Sequence, residues 1–410
     1  MALTSDATPA ALPPASPEPD GLQAWQVMVG GLCGLVLSLG LARFAYTPLL
    51  PVLQAQTGLD DAQAGLLAAV NYAGYMAGAL AAAWIESPRW RQRLYGLGLW
   101  AAVLSTAACG LGAWWPGWML LRLIGGLCGA TGLLLGSGLV LGWLMRQGRR
   151  PELGVHFIGV GLGIVVSAVA AGLFTRWWPH WQHPWWALGA VGALFLWPAW
   201  RWRPPVPPAA GPSTGAAAAP APDGPPRRWW ALLALAYFAA GWGFVVSATF
   251  TVTIVERVPA LAGQGTLVWA GVGVAAMPAV AAWDRVAHRL GDTRALRAAY
   301  LLQTLTLMAP AASDTLAAAW VGALGYGATS IGIVSMTLAL VGRHSPANPG
   351  KAMARLTLSY GSAQVLAPAL TGWMALASGS FHGGLWLTAA VMGLGCVALA
   401  ALPRADRRVG

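Results

Sequence analysis

The chain has 410 residues, 57% of them hydrophobic and only 9% charged, with a formal net charge of +11. A soluble domain carries about 25% charged residues, and this sequence lacks the polar surface that a water-facing fold of its size requires; a hydrocarbon surrounding removes that requirement. The basic excess would suggest nucleic acid in a soluble protein, but the arginines are sorted by position along the chain and read as a topology signal instead.

Residues 1–23 hold Asp6, Glu18, Asp20 and several prolines, with no Lys or Arg. That start is not the positive, then apolar, pattern of a secretory signal, and it reads as a disordered cytoplasmic tail. A helix needs about 20 apolar residues to cross the hydrocarbon. Runs of that kind cover 24–53, 62–85, 94–113, 117–144, 153–174 and 185–200, then 229–255, 264–283, 295–311, 315–341, 353–376 and 383–402. The interval 201–228, RWRPPVPPAAGPSTGAAAAPAPDGPPRR, is too rich in proline to continue a helix and reads as a cytoplasmic linker. The expectation is an all-α membrane protein of about twelve transmembrane helices in two six-helix pseudo-repeat bundles, 24–200 and 229–402, with 403–410 as a second cytoplasmic tail.

With the N-terminus inside, alternate loops collect the cations: Arg89, Arg91 and Arg93; Arg146, Arg149 and Arg150; Arg201, Arg203, Arg227 and Arg228; Arg285, Arg289, Arg294 and Arg297; Arg343, Lys351 and Arg355; Arg404, Arg407 and Arg408. The opposite loops hold only Arg176 and Arg257. This alternation places both termini in the cytoplasm of a bacterial inner membrane. Tryptophans at span ends, such as Trp114, Trp177, Trp186 and Trp230, read as headgroup anchors. Cys33, Cys109, Cys128 and Cys396 stand singly in apolar runs and read as small filler.

The halves agree weakly in register. Gly129-Ala130-Thr131 matches Gly327-Ala328-Thr329, Glu86 with Arg91 matches Asp284 with Arg289, and Gly161 and Gly172 match Gly361 and Gly372. Two parallel halves with a site between them are the plan of a rocking carrier. With the linker-split plan over the whole chain, GLARFAYTPLLPVLQ (40–54) and the following AVNYAGYMAGAL (69–80) resemble the YbfB/YjiJ-type branch of the major facilitator superfamily. Asp284-Arg285 with Arg289 is similar to that superfamily's loop motif; the first-half copy has Glu86 in place of Asp. Arg122-Leu-Ile-Gly-Gly126 looks like the Arg-containing motif of its fourth helix. GVGLGIVVSAVAAG (159–172) is Gly-rich like the antiporter motif but lacks its Gly-Pro. The resemblance implies transport by alternating access, with proton coupling.

All thirteen acids fall in tails, loops or span ends, and His156 lies at the inner end of span 5. No mid-membrane carboxylate or histidine offers itself as a proton carrier, so none is assigned. The embedded cations Arg43 and Arg122 are then the informative residues. A guanidinium inside a span costs several kcal/mol unless it meets water, a partner or an anion, and Arg suits bidentate recognition of a carboxylate. Arg43 has Tyr72, Tyr75 and helix carbonyls as alternative structural partners; Arg122 has snorkelling to the outer headgroups. Tyr46, Asn71 and Tyr75 in the first half, and Tyr326, Ser359, Tyr360 and Gln364 in the second, are polar residues suited to line a cavity. Glu86, Arg91, Asp284, Arg285 and Arg289 are expected to act as a conformational switch at the inner loops, and Pro48 and Pro51 to bend span 1.

The expected function is a secondary transporter for a small organic solute, with an anion favoured by Arg43, acting as a monomer in the bilayer without cofactor, metal or nucleic acid. A proton-coupled efflux permease for unrelated small molecules is the alternative. A membrane-embedded enzyme lacks the clustered His, Asp or Glu it needs, and a sensor lacks a soluble domain.

Overall fold

The computed structural model describes residues 21–148, 153–206, 225–345 and 349–402. The tail through Asp20, most of the linker with Asp223, the loop with Arg149, Arg150 and Glu152, and the end with Arg404, Asp406, Arg407 and Arg408 lie outside the described residues.

Among the described residues the chain forms long helices and no strand. The first half comprises α1 (Ala24–Thr57), α2 (Asp61–Trp84), α3 (Pro88–Ala108), α4 (Trp115–Arg146), α5 (Leu153–Trp177) and α6 (Gln182–Arg201). The second comprises α7 (Arg227–Arg257), α8 (Gly265–Ala276), α9 (Ala279–Leu290), α10 (Asp292–Ala312), α11 (Leu316–His344), α12 (Pro349–Ser378) and α13 (His382–Ala400). Seven helices are long and apolar enough to cross a membrane, and α8 with α9, bent by 43° at Met277 and Pro278, makes an eighth. The helices α3, α6, α10 and α12 have 21, 20, 21 and 30 residues. Their length is sufficient, but Arg, Trp, Thr and Pro lower their hydropathy. The outward faces are apolar: Leu97, Leu104, Leu194, Leu267, Leu301 and Val397 are all exposed. Water does not tolerate such a surface, whereas lipid is its natural solvent.

Local sequence accounts for the helix starts. Asp60 accepts from the Gln63 N–H, and Gln63 reaches back to the Asp60 N–H, a capping box that fixes the start of α2. Thr315 caps α11. Span 1 departs from the expectation in where it becomes irregular. Its disturbance lies ahead of Pro48 and Pro51, as a π-helical stretch Val36–Phe44 ending in a turn at Ala45. A second π stretch, Thr131–Gly136, interrupts α4. Such stretches re-aim side chains and loosen the carbonyl ladder, and they concentrate at functional sites.

The first six helices meet the later ones along two seams. One joins α2 to α12, where Gly65 packs on the Pro368 carbonyl. The other joins α5 to α8, where Gly161 and Gly273 pack backbone to backbone. Gly161 lies on the second of these seams, and Gly361, its register match on α12, lies against Met76 of α2. At one end Thr47 also donates across the divide to the Ala248 carbonyl. At the other end the halves part around a cavity.

Candidate functional site

That cavity has a volume of about 650 Å³ and runs between α2 and α4 on one side and α7, α11 and α12 on the other. Arg91 and Arg146 stand at its rim, and Tyr75, Tyr237 and Tyr360 form its phenolic part. The π stretch of α4 contributes Leu133, Leu134 and Leu135 to its wall.

Behind Tyr75 lies Arg43, 6% exposed. Its guanidinium carbon is 4.2 Å from the Tyr72 ring centroid, 4.6 Å from Tyr75, 5.5 Å from Phe44 and 5.7 Å from Phe244. Among the described residues it has no carboxylate partner, and its buried Nε has no acceptor. A desolvated cation gains about 2 kcal/mol or somewhat more from an aromatic face. An ion left unpaired costs several kcal/mol, so the rings offset part of the cost and leave the buried Nε–H unsatisfied. Phe244 ties the box together. Its ring lies 6.4 Å from Phe44, 6.4 Å from Tyr72, 5.7 Å from Tyr326 and 6.1 Å from Tyr360. Tyr360 in turn lies 4.6 Å from Tyr237.

Arg122 does not snorkel. It is 5% exposed and turns into the bundle, where Nη1 donates to the Ala42 carbonyl at 3.3 Å and Nη2 to the Arg43 carbonyl at 3.4 Å. Both carbonyls lie at the end of the π stretch, just ahead of Pro48, which supplies no N–H. The Arg122 guanidinium covers the Tyr46 ring at 4.5 Å. Tyr46 donates to the Ala64 carbonyl at 3.0 Å, and Asn71 Nδ2 to the Arg122 carbonyl at 2.8 Å. That last bond needs α2 and α4 to touch, and a side chain at Gly126 would overlap the Asn71 carbonyl.

The candidate residues therefore separate. Tyr75 and Tyr360 line the cavity, and Arg43 stands directly behind it. Arg122, Tyr46 and Asn71 form a clamp under the Arg43 backbone and stay off the cavity wall. Tyr326 reaches the box through Phe244, Ser359 donates to the Ala234 carbonyl, and Gln364 is buried with Oε1 unpartnered, away from the wall. His156 is buried and bonded to Ser137 across α4 and α5. Of the switch residues, Arg91 donates to the Ile85 carbonyl and Arg285 to the Ala281 carbonyl. Glu86, Asp284 and Arg289 are exposed, and no ion pair among the described residues includes them.

Sequence reasoning missed Phe244 and the closure of the far face. There the Arg257 guanidinium grips Asp61 with both nitrogens, Nη1 to Oδ2 at 2.8 Å, while Gln54 donates to the same carboxylate at 2.7 Å. Asp61 and Arg257 each follow from the sequence as loop-end charges; their pairing across the halves has no local signal.

A family model described as "Uncharacterised MFS-type transporter YbfB" matches residues 35–400. A sequence search of curated proteins finds no match. Among solved structures, the nucleoside transporter NupG is 11% identical and aligns over 92% of this chain and 98% of its own, with a TM-score of 0.70. A bacterial homolog of the human lysosomal transporter Spinster, inward-facing and occupied, is 16% identical over 92% and 94%, with a TM-score of 0.64. The human organic anion transporter MFSD10 (TETRAN) is 18% identical over 92% and 99%, with a TM-score of 0.62. These likenesses show the fold, and the family match covers nearly all of the helical chain: the protein belongs to the major facilitator superfamily, in the YbfB-type family, and is a membrane transporter rather than an enzyme.

Proposed function

We propose that this transporter carries a small organic anion across the inner membrane by alternating access, with Arg43 holding the anionic group. In this reading twelve passages form the bundles 24–200 and 229–402, and the tails and the 201–228 linker are cytoplasmic. Basic loops mark the cytoplasmic side. The cavity beside Arg91 and Arg146 then opens inward, and the face joined by Asp61 and Arg257 is the closed outer one.

The observation that carries the proposal is the Arg43 guanidinium, buried, ringed by aromatic faces and without a carboxylate among the described residues. The rings shelter the charge when the carrier is empty. A carboxylate arriving through the cavity would supply the counter-charge and two acceptors in the plane of the guanidinium. The fold is shared with an organic anion transporter and with a nucleoside transporter. A nucleoside would need several side-chain hydrogen bonds, and the described cavity wall offers three phenols and Thr357 for them.

Uptake into proteoliposomes tests the reading. Truncating one partner of a buried charge pair costs about 2–5 kcal/mol, so Arg43→Ala should lose at least about 30-fold in transport at fixed substrate while the protein remains inserted. Full activity removes the anion from the mechanism. Comparing uptake with and without an imposed pH gradient reads the coupling; equal rates indicate a uniporter or exchanger. The apolar wall favours one second reading, efflux of unrelated apolar compounds, for which neutral substrates would be moved equally well by Arg43→Ala.

A further inference from the structure

We infer that the substrate is an amphipathic monocarboxylate, a single anionic head on an apolar body, and that the cavity wall rather than Arg43 sets its size. This inference rests on the anion reading. It comes from what lies between the Arg43 box and the cavity rim. Among the described lining residues there is no Asp, Glu, Asn, Gln or His. The wall is built by Met76 and Leu80 from α2, Leu134 and Leu139 from α4, and Val334 and Leu338 from α11. Met353 and several alanines fill the gaps.

Charge is confined to the two ends. At the inner end lies Arg43, reached past Tyr75; at the rim lie Arg91 and Arg146, both exposed. A dicarboxylate or hydroxy acid whose second polar group falls midway would meet mostly aliphatic carbon, with only Thr357 and the three phenols to replace its hydration. A sugar would lose several hydrogen bonds at once. An aliphatic or aryl tail gains from each carbon removed from water. The volume of about 650 Å³ lies well inside the range of about 300–1,000 Å³ of small-ligand sites, so a tail of several carbons fits. Methionine on two sides of the cavity, Met76 and Met353, adapts to tails of different shape.

The test is a homologous series of straight-chain carboxylates, from acetate to octanoate, binding to the full chain in lipid nanodiscs, with Arg43→Gln nanodiscs subtracted for partition into lipid. Each added methylene should raise affinity about threefold to fourfold until the cavity is filled. Leu338→Gln should flatten that slope. Succinate and glucose should bind no better than acetate. A flat series that still depends on Arg43, or tighter binding of succinate than of hexanoate, overturns the amphipathic substrate and leaves the anion reading standing. No Arg43-dependent binding of any carboxylate overturns both.

Discussion

Asp61 at the start of α2 and Arg257 at the end of α7 are 196 residues apart and form a two-pronged ion pair between the halves of the chain. Among the described residues it is the one ion pair that crosses the divide; Asp292 with Arg343 and the hydrogen bond of His382 with Asp314 stay within the second half. The pair sits on the face opposite the cavity, and the proposed alternating access breaks it when that face opens. Asp61 is nearly buried, while the Arg257 side chain is 40% exposed, so the gain is that of a good surface pair, about 1 kcal/mol.

Asp61→Asn and Arg257→Gln should therefore each shift the closed face about fivefold toward opening, as about 1 kcal/mol dictates, without harming insertion. Spin labels on Gln63 and Gly379, in a background without the native cysteines, read the distance across that face. Both single variants should enlarge the long-distance population, and exchange of the two charges should restore the short one. Unchanged distances in both single variants would remove the latch.

The second closure is steric. A side chain at Gly65 would overlap the Pro368 carbonyl and press on Gly372, because α2 and α12 touch through their backbones there. The contact is backbone, which cannot swing aside as a flexible side chain can. Gly65→Leu should hold the two helices apart, abolish uptake and give the long label distance across the outer face even with Asp61 and Arg257 intact. Normal transport by this variant would mean that the seam is not a moving contact.

How much of this was legible in sequence depends on the range of the signal. Span positions and the alternation of arginine between loops are local, and the helices fall close to the runs read from apolarity. Arg43 and Arg122 stood out because cations inside apolar runs are rare, and Tyr72 and Tyr75 were named as alternative structural partners of Arg43. Their division of labour did not follow. Whether Arg122 snorkels or turns inward depends on the Ala42 and Arg43 carbonyls it meets at the end of a π stretch, which has no sequence signature. Phe244 reads as one more apolar residue of α7 until the fold sets it against Phe44 and Tyr72. Asp61 and Arg257 read as solvated loop charges until the halves bring them together.

The two buried arginines should separate in stability. Arg122 satisfies the Ala42 and Arg43 carbonyls, and a buried carbonyl left unsatisfied costs about 1–3 kcal/mol. Arg122→Leu should therefore lower the melting temperature in lipid or mild detergent, and it should raise KM because the Arg43 backbone is released. Arg122→Lys should recover part of both by reaching one carbonyl. Arg43 is the opposite case: its charge is desolvated and its N–H groups lack carboxylate partners among the described residues, so the site holds it at a cost that binding offsets. Arg43→Leu should keep or raise the melting temperature while transport is lost, and an organic acid that stabilises the parent protein should no longer stabilise this variant. A lower melting temperature for Arg43→Leu than for Arg122→Leu would reverse the assignment, making Arg43 the structural cation and Arg122 the one to follow into the transport cycle.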